Sequence, residues 1–100
     1  MSDSALQRVL EEVVAERRRQ DAKWGEQNHD PFLYGTILME EVGEFAQAAL
    51  KARFDEGKTL DNVREEAIQV AAVAVAIVEC LDRGAWRWPA PESAVQDGSR

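Results

Sequence analysis

The segment Ala67 to Val78 is apolar on nearly every side when wound into a helix, with Gln69 as its one polar interruption. A helix that lacks a polar face must be covered all round. Thr59 is placed to cap this helix, which runs to about Arg83 before Gly84 and then Pro89 and Pro91 forbid continuation. Its roughly 23 residues span about 35 Å. The longest apolar stretch, Val70 to Val78, is far too short to cross a bilayer, which takes about 20 residues, so the covering surface is protein. With 100 residues in all, the chain has the size of one domain, residues 1–100, and two further helices cannot enclose the third. The expected architecture is therefore an all-α antiparallel helical bundle completed by homo-oligomerisation, as a homodimer or homotetramer. The alanines of the third helix permit its copies to approach closely.

Two more helices are legible. Leu6, Val9, Leu10, Val13 and Val14 recur at helical spacing behind a Ser4 and Gln7 capping pair, which predicts a first helix from about Ala5 to Trp24, ended by Gly25. Glu26 to Asp30, with Pro31 behind it, reads as a loop. A second helix is predicted after Thr36 and up to Gly57, because Leu38, Val42, Phe45, Ala49 and Ala52 alternate by four and three and so form one apolar seam. The tail Glu92 to Arg100 is expected to be mobile. Trp86 and Trp88 are expected to anchor the chain end on the core or on a neighbour.

Hydrophobic residues make up 45% of the chain and charged ones 31%, which is the balance of a soluble globular protein. A net charge of -7 argues against a nucleic-acid polymer as partner, because that surface must be basic. The one basic cluster, Arg17 to Arg19, is flanked by Glu16 and Asp21 and reads as a solvated helix face. The single cysteine, Cys80, excludes an internal disulfide and, in apolar surroundings, is expected to be a quiet buried thiol. With no secretory signal in view, the expected location is cytoplasmic, without membrane attachment.

The acids carry the chemistry. On a wheel of about 100° per residue, Glu41 falls at the edge of the second helix's seam, with Glu44 and then Glu40 on the same side. On the third helix, Glu66 lies in line with Val70, Val73 and Ile77, and Gln69 sits beside it. Burying ionised carboxylates unpaired costs several kcal/mol, so acids gathered where two helices meet call for a cation. Oxygen-only donors indicate Mg²⁺ or Mn²⁺ over zinc, with Glu41, Glu44 and Glu66 as the ligands. Each motif taken alone also fits a solvated face, since Glu is a good helix former. A di-iron site of the Glu-x-x-His kind is disfavoured because the only histidine, His29, falls in a loop. Neither GxxxxGK[ST] nor GxGxxG occurs, so no glycine-rich phosphate loop is present.

Taken in order, RRRQDAKWGEQNH, then MEEVGEFAQA, then REEAIQVAAVAVAIVE resembles the MazG-like all-alpha nucleotide pyrophosphohydrolases over Arg17 to Glu79. That family carries EExxE on one helix and ExxD on the next. Glu40, Glu41 and Glu44 complete the first motif, and Glu66 begins the second, whose last position is Gln69 where Asp is expected. The resemblance implies a Mg²⁺-dependent homo-oligomer that hydrolyses a (deoxy)nucleoside triphosphate to the monophosphate and pyrophosphate, removing unwanted nucleotides. It also implies a general base, assigned to Glu40 as the outermost acid on the arc. Trp24 to His29 is similar to the WEQxH-type loop of the deoxycytidine triphosphatase branch, with a spacing that differs by one residue. On that likeness Trp24 stacks on the base and His29 hydrogen-bonds it, while Lys51 and Lys23 are the candidates for a distal phosphate. Gln69 opens two alternatives, a neutral metal ligand or a residue that hydrogen-bonds a ligating Glu. It also opens a rival function, a catalytically weak or inactive oligomer that binds nucleotide or a partner protein.

Overall fold

The computed structural model describes residues 2–55 and 59–89. Among them the chain forms three helices and no strand: α1 Ser2–Trp24, α2 Pro31–Phe54 and α3 Asp61–Arg83. No described helix is long and apolar enough to cross a membrane. The expected tail, Glu92 to Arg100, and the expected end of the second helix at Gly57 lie outside the described residues.

All three helix starts differ from the sequence expectation. α1 begins at Ser2, so the Ser4 and Gln7 pair lies inside the helix, with Asp3 in the first turn where a negative charge suits the helix dipole. α2 begins at Pro31, well before Thr36. Pro31 acts there as an initiator, because a proline in the first turn sacrifices only an N–H that has no helical partner. Asp30 caps it, its side chain accepting from the backbone N–H of Phe32 at 2.8 Å and of Leu33 at 3.0 Å. Thr36 is interior, and its hydroxyl donates to the Phe32 carbonyl. The N-cap of α3 is Leu60 and not Thr59, which lies one residue outside it with its hydroxyl accepting from the Asp61 N–H at 3.2 Å. Gly25 and Gly84 end α1 and α3 in the left-handed region, at φ 74° and 64°, where a side chain would be strained.

α3 is the central element, packing on α2 along one side and on α1 along another, while α1 and α2 make no close backbone approach to each other. Short connections make the order up, down, up. The α2 seam faces α3 as expected, with Tyr34 and Ala48 buried and Leu38, Val42, Phe45, Ala49 and Ala52 half-buried. On α3, Ala72, Val73 and Cys80 are buried, and the thiol is fully enclosed. At the far end, the Trp88 ring lies 5.3 Å from Phe32 and 5.0 Å from Trp86, which ties the chain end to the first turn of α2.

This core is small. Among the described residues the buried apolar side chains are Val13, Tyr34, Ala48, Ala72, Val73 and Cys80. Of the α1 stripe only Val13 is buried; Leu6 and Leu10 remain 58% and 52% exposed. On α3, Val75, Val78 and Leu81, spaced by three, are open on one face. A single chain therefore leaves α3 partly bare.

Candidate metal centre and adjoining cavity

Glu41 and Glu44 on α2 and Glu66 on α3 converge, each offering a carboxylate oxygen within 4.8 Å of the others. Three residues along a helix is nearly one turn, so Glu41 and Glu44 project in neighbouring directions, and the packing of α2 on α3 brings Glu66 to meet them. The like charges are felt. Burial, and then the charges of Glu44, Glu66 and Glu40, push the Glu41 carboxyl above the ordinary 4.5. Burial and then Glu44 and Glu65 do the same to Glu66. Each carboxyl therefore keeps its proton to a higher pH than an isolated one, and a nearby cation would act in the opposite direction. The donors suit a hard divalent ion because all are carboxylate oxygens.

The raised values fix a pH dependence. A carboxyl held above 4.5 contributes stability that is present below that value and is lost as pH rises through the folded value. Mg²⁺, which needs the ionised form, is expected to raise the melting temperature more at about pH 7.5 than at about pH 5. Glu41→Gln should flatten that difference. Equal Mg²⁺ shifts at both pH values in scanning calorimetry would refute the cluster as a cation site.

Beside the carboxylates lies a cavity of about 300 Å³ between all three helices. Glu41 and Gln69 line it, and so do Trp24, His29 and Tyr34. Metal-ligand and base-binding candidates from three separate segments thus share one space. Trp24 is 58% exposed and serves as cavity wall. Glu40 is exposed, outside the group of three, though close enough for its charge to raise Glu41. Neither lysine lines the cavity: the Lys23 ammonium sits 4.5 Å over the Trp24 ring, and Lys51 is exposed in the last turn of α2.

The loop that carries His29 is held from several sides. The Arg83 guanidinium donates to the Asn28 side-chain oxygen at 2.8 Å and to the Gln27 carbonyl at 3.1 Å, and pairs with Glu26. The Tyr34 hydroxyl donates to the same Gln27 carbonyl at 3.0 Å, and its ring meets His29 edge-on at 5.0 Å. The Cys80 thiol donates to the His29 carbonyl. Together these contacts settle the loop over one end of the cavity.

The cavity's polar wall comes from α1, and it corrects the solvated reading of the arginine cluster. The Arg17 side chain is only 14% exposed, and it bonds Glu79 at 2.9 Å, Gln20 at 3.0 Å and Asp21 at 3.0 Å. Arg18 and Arg19 do remain exposed. Glu16 is buried, one oxygen against the Arg19 guanidinium and the other accepting from Gln20. A signal for this wall existed in the sequence. Val13, Glu16, Gln20 and Trp24 follow one another by three and four, so the stripe that begins apolar turns polar on the same face.

Comparison with protein-family models, with curated proteins and with solved structures finds no match to this chain.

Proposed function

We propose that this protein is a metal-dependent nucleoside triphosphate pyrophosphohydrolase that works as a homo-oligomer. The observation that carries the reading is Glu41, which belongs at once to the carboxylate group and to the cavity wall that holds Trp24 and His29. A triphosphate held at the carboxylates then has its base directed into the cavity. Glu41, Glu44 and Glu66 would hold Mg²⁺ or Mn²⁺, which would supply charge neutralisation at the phosphates and make the attacking water more acidic. Glu40 takes the proton of the attacking water as its oxygen bonds to the α-phosphorus and the bond to the leaving pyrophosphate breaks. Trp24 stacks on the base and His29 hydrogen-bonds it, while Lys51 or Lys23 meets the distal phosphate.

Oligomerisation is supported by the bare apolar faces of α1 and α3, since stable monomers rarely leave such stripes uncovered. The rival reading, an oligomer that binds nucleotide or a partner without turnover, is favoured by Gln69, which brings no charge to the site. A panel of ribo- and deoxyribonucleoside triphosphates, assayed for pyrophosphate release with Mg²⁺ or Mn²⁺, separates the two. Release from at least one is expected. Calorimetric binding without release establishes the rival, and neither binding nor release defeats both.

A further inference from the structure

We propose that Gln69 faces the cavity as a hydrogen-bond donor to a ring carbonyl of the bound base, and does not ligate the metal through its own oxygen. This rests on the nucleotide reading of the same site. An amide has one acceptor end and one donor end, and which end faces where is set by its partners. Gln20 leaves no choice. Its oxygen accepts from the Arg17 guanidinium at 3.0 Å, a group with donors only, and its Nε2 donates to the Glu16 carboxylate at 3.3 Å. The same Gln20 Nε2 reaches Gln69 at 3.4 Å, and a donor must meet an acceptor, so the Gln69 oxygen is turned toward α1. The amide hydrogens of Gln69 are what remain for the two spaces it borders, this cavity and a second groove lined by Glu12, Arg64 and Glu65, and the cavity is the one assigned to them.

The rest of the wall narrows what those hydrogens meet. Arg17 is spent on Glu79, Asp21 and Gln20, and the Tyr34 hydroxyl on the Gln27 carbonyl. The Trp24 indole and the His29 ring add aromatic surface to the same lining, which suits a flat heterocycle more than a phosphate chain. A neutral donor in such a place selects an acceptor such as a carbonyl oxygen. Adenine offers such a donor only ring nitrogens, whereas cytosine, thymine, uracil and guanine each carry at least one carbonyl oxygen.

The test uses the full-length protein and Gln69→Leu, which removes both ends of the amide while keeping the side chain similar in size. Binding is measured by calorimetry in chelator with dCMP, dTMP, dGMP and dAMP, and with inorganic tripolyphosphate, and Mn²⁺ binding is measured separately by electron spin resonance. Loss of one such bond is expected to weaken the carbonyl-bearing monophosphates about tenfold. Binding of dAMP, tripolyphosphate and Mn²⁺ should stay within about twofold. Gln20→Leu, which frees Gln69 to turn, should reproduce part of the loss. Weakened Mn²⁺ binding with unchanged monophosphate binding overturns the proposal and restores the metal-ligand role. Equal weakening of dAMP or tripolyphosphate also overturns it. If the wild-type protein binds no nucleotide at all, the parent reading falls and takes this one with it; binding that Gln69→Leu leaves untouched defeats this one alone.

Discussion

Glu44→Ala is expected to lower metal-dependent pyrophosphate release by more than roughly 100-fold, about 2.7 kcal/mol in the barrier. Even residues that only orient metal ligands are worth about 10–100-fold, and Glu44 is placed to be a ligand itself. It is one of three carboxylates whose oxygens gather within 4.8 Å, and its charge acts on both of the others. Because Glu44 is exposed in the single chain, its truncation removes no core packing, and the fold is expected to survive. The measurement pairs the activity assay with Mn²⁺ binding and circular dichroism. Full activity in a folded Glu44→Ala protein would refute the carboxylates as the reactive centre. Restoring the acid with Gln69→Asp gives the opposite contrast, since activity that first appears in that variant would mark the natural protein as a lapsed enzyme.

Val78→Asp should convert the protein to a monomer and strip it of much of its stability. Val78 is 56% exposed in the single chain, flanked on the same face of α3 by Val75 and Leu81. In a protein that works as a monomer, a charge at so open a position changes stability by no more than about 0.5 kcal/mol. Against a second copy, the same charge enters an apolar contact without a partner and costs several kcal/mol. Sedimentation equilibrium and thermal unfolding decide between these outcomes. The wild-type protein is expected at a multiple of 11.2 kDa, with Val78→Asp at that mass and melting lower. A wild-type monomer with an unaltered melting temperature in the variant would remove the oligomer from the proposed function. Leu10→Asp on α1 asks the same question of the second bare stripe, at a side chain 52% exposed.

The helices and their faces were legible because a 3.6-residue period depends only on the neighbouring chain. That period placed the α2 seam and set Glu41 and Glu44 on one side, and it put Glu66 on the buried side of α3. Glycine and proline were read less well. Gly25 and Gly84 ended helices as expected, but Pro31 was read as the back of a loop when it opens α2, because proline signals both a break and a start.

The sequence by itself thus determined three helices, an apolar seam and the acids on it, for these follow from local geometry. Only the tertiary structure decided how much of α3 one chain leaves bare, since coverage is set by where the other two helices lie. The same holds for the half-buried state of Arg17, the hold of Arg83 on the His29 loop and the direction of the Gln69 amide. Those contacts join residues 62, 55 and 49 positions apart, and no local period encodes a side chain's partner at that range.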